Sequence, residues 1–197
     1  MNLISNKDIL IFHAIPNGRL NTWLGYSLIV VLGSCLVTLS SKVQVPFYPV
    51  PMTLQTMTVL MLGMALGWRL AGATILLYLV EGALGLPVFA GTPGKGMGLA
   101  YMLGTTGGYL FGFLIAAIVC GWLAERGWGH NFVATAGCMV VGNLVIYLFG
   151  ISWLGVVLGW DKPLLEWGVL PFLWGDLLKI TLAAITMPLA WKIIAKR

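Results

Sequence analysis

The sequence has very little charge. Only 9% of its 197 residues are Asp, Glu, Lys or Arg, where soluble globular chains carry about 25%. Six acidic and eleven basic side chains cannot coat a water-soluble fold of this size. A disordered chain is excluded as well, because 59% of the residues are hydrophobic and the mean hydropathy is +0.96. Cysteine is scarce. Cys35, Cys120 and Cys138 lie in apolar runs without CxxC spacing, which argues against a disulfide scaffold and against a metal site. Alternation of polar and apolar residues is lacking too, and a membrane β-barrel requires it. What remains is an all-α integral membrane protein.

Other absences narrow the function. The two histidines, His13 and His130, fall outside the expected spans, which argues against a histidine proton relay and an HExxH protease. No GxSxG motif occurs. Gly94-Lys95-Gly96 lacks the GxxxxGK[ST] pattern of a phosphate-binding loop, so any ATP-driven step requires another subunit. The net charge of +5 points to basic cytoplasmic loops rather than to nucleic acid. No cofactor and no metal is expected.

What is present is a series of apolar runs. Six membrane spans are predicted over about 23–41, 53–68, 70–86, 101–124, 132–158 and 168–194, within one membrane domain. Residues 1–22 form a mixed lead-in carrying Lys7, Asp8 and Arg19. The first apolar run is too long for the core of a cleaved signal peptide, and no A-x-A site follows it. Pro46, Pro49 and Pro51 predict a rigid extended loop over 42–52, with Thr53 capping the second span. Arg69 marks a tight turn. A glycine-rich loop follows Pro87, and the fourth span opens on Gly104–Tyr109.

The basic residues fix an expected orientation. Seven Lys and Arg lie on the face with the two termini, the Arg69 turn and the 125–131 loop, against three (Lys42, Lys95 and Lys162) on the other. Both termini are therefore expected to be cytoplasmic, and the proline and glycine loops to share the outer face.

Charges inside spans are costly and mark function. Asp176 and Lys179 stand three apart, on one helical face, with Cβ atoms about 5–6 Å apart. Counting from Gly168, Asp176 is about 12 Å deep, and Glu81 is about 18 Å from the Arg69 turn. Glu81 has three open roles: pairing with Lys42, pairing with Lys95, or serving its own helix end. An acid beside a base suits a ligand with adjacent N–H and C=O groups, such as a cyclic urea or an amide, while Lys179 alone suits a carboxylate. Phe47, Tyr48, Phe89, Tyr101, Tyr109 and Trp174 are aromatics near this region, and Tyr48, Phe89 and Tyr109 are the wall candidates. On the first span, Gly25, Gly33, Ser34 and Thr38 form a small-residue face suited to another helix.

Four ordered motifs resemble the BioY family, the biotin-binding S components of energy-coupling factor (ECF) transporters. Val45–Thr56 is similar to that family's first loop, and Gly82–Gly91 to its third-span exit. Gly104–Phe113 is similar to its GPTGGYLxGF segment, and Gly175-Asp176-Leu177-Leu178-Lys179 to its last-span motif. The resemblance implies a six-helix S-component fold in the bacterial inner membrane. It implies capture of biotin from outside and delivery inward with a transmembrane coupling subunit and ATPase subunits. Asp176 and Lys179 map onto the family's biotin contacts. Either the ureido ring or the valerate carboxylate can meet Lys179. Thr105 replaces the family's usual Pro. Where some members carry an Asn after Val-Phe, this chain has Ala90, Gly91 and Thr92, so a backbone amide there or the Thr92 hydroxyl is the expected substitute. The expected binding set is thus Asp176, Lys179, Glu81, Phe89, Gly91, Thr92, Tyr109 and Tyr48. Gly33, Ser34 and Thr38 are expected to dock a partner. Two other readings stand beside this one: an S component for a different small vitamin, and an intramembrane enzyme using Glu81 and Asp176.

Overall fold

A computed structural model describes Leu10 and residues 22–194. The expected lead-in over 1–22 lies outside the described residues except for Leu10 and Thr22. With no water to satisfy peptide groups in lipid, the apolar runs close their hydrogen bonds within helices. These are α1 (Thr22–Lys42), α2 (Gln55–Ala83), the short α3 (Gly98–Met102), α4 (Gly107–Ala124), α5 (Phe132–Leu158), the short α6 (Leu164–Gly168) and α7 (Leu173–Ile194). Five segments are long and apolar enough to cross a membrane, counting α2 as one.

α2 is in fact a helical hairpin. Gly67 has φ 74° and ψ 168°, a conformation open essentially to glycine alone. Twenty-three residues of straight helix would span about 35 Å, yet Gln55 Nε2 donates to Tyr78 OH at 2.7 Å. The chain therefore reverses at Gly67, and arms 55–66 and 68–83 supply the second and third of six passes. The expected turn at Arg69 falls two residues later than the observed one. Gly67→Ala is expected to destabilise the fold by about 1–3 kcal/mol, read as a lower unfolding temperature of the purified protein.

Other boundaries also shift. The fourth span begins at Gly107 rather than Tyr101, because Tyr101 belongs to the separate helix α3. The last long helix begins at Leu173 rather than Gly168. A 3-10 turn over Leu170–Phe172, with Pro171 near its start, divides it from α6. Asp176 thus sits in the first turn of α7, shallower than the sequence count suggests. The proline loop carries a small antiparallel ladder, β1 (Gln44–Val45) with β2 (Met52–Thr53), paired Gln44 to Thr53 and Val45 to Met52. Leu54, not Thr53, holds the N-cap position of the next helix, although Thr53 Oγ1 still accepts from Gln55 N at 3.3 Å.

α2, α4 and α5 form the core, with Val59, Leu60, Met64, Ala116, Ala117 and Cys120 almost fully buried between them. α1 lies along the 68–83 arm. α7 closes the bundle against α5.

Candidate functional site

At the end of the bundle carrying the proline and glycine loops, a cavity opens between α2, α4, α5 and α7. Val50, Leu110, Phe113, Ile146 and Phe172 supply apolar wall. The polar groups gather where α5 and α7 face the start of α2.

Asp176 and Lys179 are the charged pair of that region, 5% and 7% exposed, so both are removed from solvent. Lys179 Nζ donates to Asp176 Oδ1 at 3.2 Å and to Thr56 Oγ1 at 3.0 Å. Tyr147 OH donates to Asp176 Oδ2. The first-turn position of Asp176 sets its carboxylate at the positive end of the α7 dipole. A buried ion pair of this kind does not by itself stabilise a fold, because desolvation offsets the attraction. Here it presents an acceptor and a donor side by side to the cavity.

Side chains in and around the cavity hold its rim. Lys42 Nζ donates to the carbonyls of Pro87 (2.6 Å) and Phe89 (2.9 Å) and to Thr92 Oγ1 (3.2 Å), which uses all three of its N–H groups. Tyr101 OH donates to Ala90 O at 2.8 Å, and Thr105 Oγ1 to Pro49 O at 2.9 Å. The two loops are thereby tied to α1, α3 and the α3–α4 connection. Tyr109 OH donates to Gly168 O at 2.9 Å, fixing α6 beside α4.

The sequence matches the BioY family model over residues 19–196. The chain belongs to the BioY family. Among its relatives, the probable biotin transporter of Pyrococcus horikoshii is 40% identical over 157 residues, 80% of this chain and 90% of the relative. The biotin transporter of Thermotoga maritima is 35% identical over 152 residues, 77% of this chain and 87% of the relative. The biotin transporter of Rhizobium etli is 37% identical over 168 residues, 81% of this chain and 84% of the relative. In fold, the chain resembles a crystal structure of the biotin S component of an ECF-type ABC transporter, with a TM-score of 0.74 over 90% of this chain and 95% of that one. Identity to that structure is 23%, so the likeness is one of fold.

In this BioY-family chain the expected site residues divide. Asp176, Lys179 and Tyr109 line the cavity. Phe89 does not. It is fully buried behind the wall, stacked on Tyr101 at 5.0 Å between ring centroids and pressed against Gly82, where a Cβ would come within 2.0 Å of its ring. Thr92 is spent on Phe89 O and Lys42, and Gly91 packs against Lys95. Both stand behind Ala90, which is the cavity residue of that loop. Tyr48 is 86% exposed at the tip of the proline loop, away from the cavity. Glu81 accepts a hydrogen bond from Ser34 Oγ on α1, not from Lys42 or Lys95, and lies outside the cavity. Gly33 and Ser34 are buried against the 68–83 arm. A Cβ at Gly33 would meet Thr74 at 2.6 Å, so the small-residue face packs inside the chain instead of facing outward. Thr38 is half-buried on the same helix.

Sequence reasoning missed Tyr147, Asn143, Gln55 and Thr56. Asn143 and Tyr147 stand four apart in an otherwise apolar span, a polar stripe on one face that carried the signal. Gln55 and Thr56 close the first-loop motif, directly before the helix that delivers them.

Proposed function

We propose that this BioY-family protein is the S component that captures biotin for an ECF transporter in a bacterial cytoplasmic membrane. The observation that carries this reading is the buried Asp176–Lys179 pair at the polar end of an apolar-walled cavity. Biotin has the matching shape: a compact ring system with a urea at one edge and a flexible acid tail. The names of the relatives point to the same substrate.

The cavity opens at the end of the bundle that carries Lys42, Lys95 and Lys162, the face poorer in basic residues. By the positive-inside rule that end is extracytoplasmic and both termini face the cytoplasm. Biotin then enters from outside, and Lys42 together with Tyr101 holds the loops around it. The chain lacks a phosphate-binding loop, so a coupling subunit and ATPase subunits supply the driving force for release inward. The apolar outer surface of α1, with Leu24, Leu28, Leu32, Leu36 and Leu39 exposed, meets lipid or the coupling subunit. Gly33, Ser34 and Thr38 support that surface from within.

Equilibrium binding of radiolabelled biotin to the purified protein tests the reading. About one biotin per chain is expected, since one cavity serves it. No retention of biotin, with binding of another vitamin in a competition series, would move the assignment to that vitamin. Glu81 is expected to stand apart from recognition. Glu81→Gln should leave biotin affinity within about twofold of wild type, the spread of substitutions away from a site.

A further inference from the structure

Among the described residues, one buried side-chain oxygen in the cavity is left without a partner. Asn143 is 6% exposed and lines the cavity, and its Oδ1 has no hydrogen-bond partner. A buried carbonyl in this condition is costly, and native interiors tolerate it where a bound group completes the bond.

The position of Asn143 is set by register. It lies one turn from Tyr147 on the same face of α5. Tyr147 reaches Asp176 across the antiparallel α7. One turn further along, Asn143 is therefore level with Lys179. The polar end of the cavity has two tiers, Tyr147 with Asp176 and Asn143 with Lys179.

The hydrogen-bonding capacity of these groups can be counted. Asp176 accepts from Lys179 and Tyr147 and keeps lone pairs for a further donor. Lys179 donates to Asp176 and Thr56 and keeps its third N–H. Asn143 Oδ1 accepts nothing. The open capacity is an acceptor, a donor and a second acceptor. A cyclic urea displays the complement: N–H, C=O and N–H.

Resting on the functional reading above, we propose that Asn143 accepts one of the two ureido N–H groups of biotin. With Asp176 on the other, it makes the site demand two unsubstituted ring nitrogens. A carboxylate tail has no N–H to offer this oxygen, so the ring, rather than the tail, occupies the Asn143 tier.

Calorimetry on purified wild type, Asn143→Ala and Asn143→Asp tests this with four ligands: biotin, its two mono-N-methylated ureido isomers, and biotin amide. Asn143→Ala should weaken biotin binding about tenfold or more, the effect of leaving one buried donor unpaired. One N-methyl isomer should bind wild type poorly yet lose nothing further in Asn143→Ala, while the other stays penalised in both. Asn143→Asp keeps the volume and an acceptor, and should bind biotin more tightly than Asn143→Ala. If the Ala variant loses its cooperative unfolding transition, the Asp variant carries the same isomer comparison. Equal affinity of wild type and Asn143→Ala for biotin would overturn the proposal alone. So would an Ala effect that disappears with biotin amide, because the contact would then be to the tail. A wild type that binds no biotin would overturn the functional reading and this proposal together.

Discussion

Replacing Asp176 with Leu and Lys179 with Met in one protein is expected to abolish biotin retention while leaving the chain folded. The two side chains are removed from solvent and bonded to each other at 3.2 Å. On the proposed function each would supply a charge-assisted bond to ligand worth about 1.5–3 kcal/mol, so the pair would account for roughly a hundredfold or more in affinity. Stability should move the other way. Exchanging a buried ion pair for apolar residues of similar volume is often neutral or stabilising by about 1–4 kcal/mol. Asp176→Ala alone should behave differently, because it strands the Lys179 ammonium with only Thr56 as partner. Breaking one side of such a pair costs about 3–5 kcal/mol. Binding isotherms and thermal unfolding of the single and double variants separate the two effects. A double variant that still retains biotin would remove the site assignment.

Gly108→Val should be strongly damaging although it lies away from the polar end. α4 and α5 approach so closely at this point that a Cβ would lie 2.2 Å from Trp153 Cβ and 2.4 Å from the Phe149 carbonyl. The second of these is backbone and cannot rotate away, so the helices must separate. Overpacking of this kind costs about 1–3 kcal/mol, sometimes more. The next residue, Tyr109, both lines the cavity and holds Gly168, so the separation reaches the ligand site directly. A lower unfolding temperature and weakened biotin binding are expected together. Loss of binding with an unchanged unfolding temperature would show that the contact does not bear on the fold.

The candidate site was partly legible before the fold was known. Asp176 and Lys179 could be read because a charged pair in an apolar helix is rare and expensive, and a spacing of three puts both on one face whatever surrounds them. Glu81 carried the same signal and led elsewhere, to Ser34 on α1. A charge in a span marks a need for a partner, but the sequence does not say which partner. The aromatics were ambiguous for a related reason. Tyr48, Phe89 and Tyr109 look alike as residues near two loops. One is in solvent, one is behind the wall and one is in the cavity.

Chain order and composition alone determined that this protein lives in a membrane, that it crosses as helices, that a reversal lies within two residues of Arg69, and that its motifs are those of the BioY family. These are sums over neighbouring residues: apolar length, scarcity of charge, a glycine or a proline at a break. Only the tertiary structure decided that the 55–66 arm brings Thr56 to Lys179, 123 positions away, that Tyr147 meets Asp176, and that Asn143 is left with an empty acceptor facing the same space. Those pairings depend on which faces of four helices turn toward one another, and that is settled by close packing between distant segments, not by the local pattern that makes each one a helix.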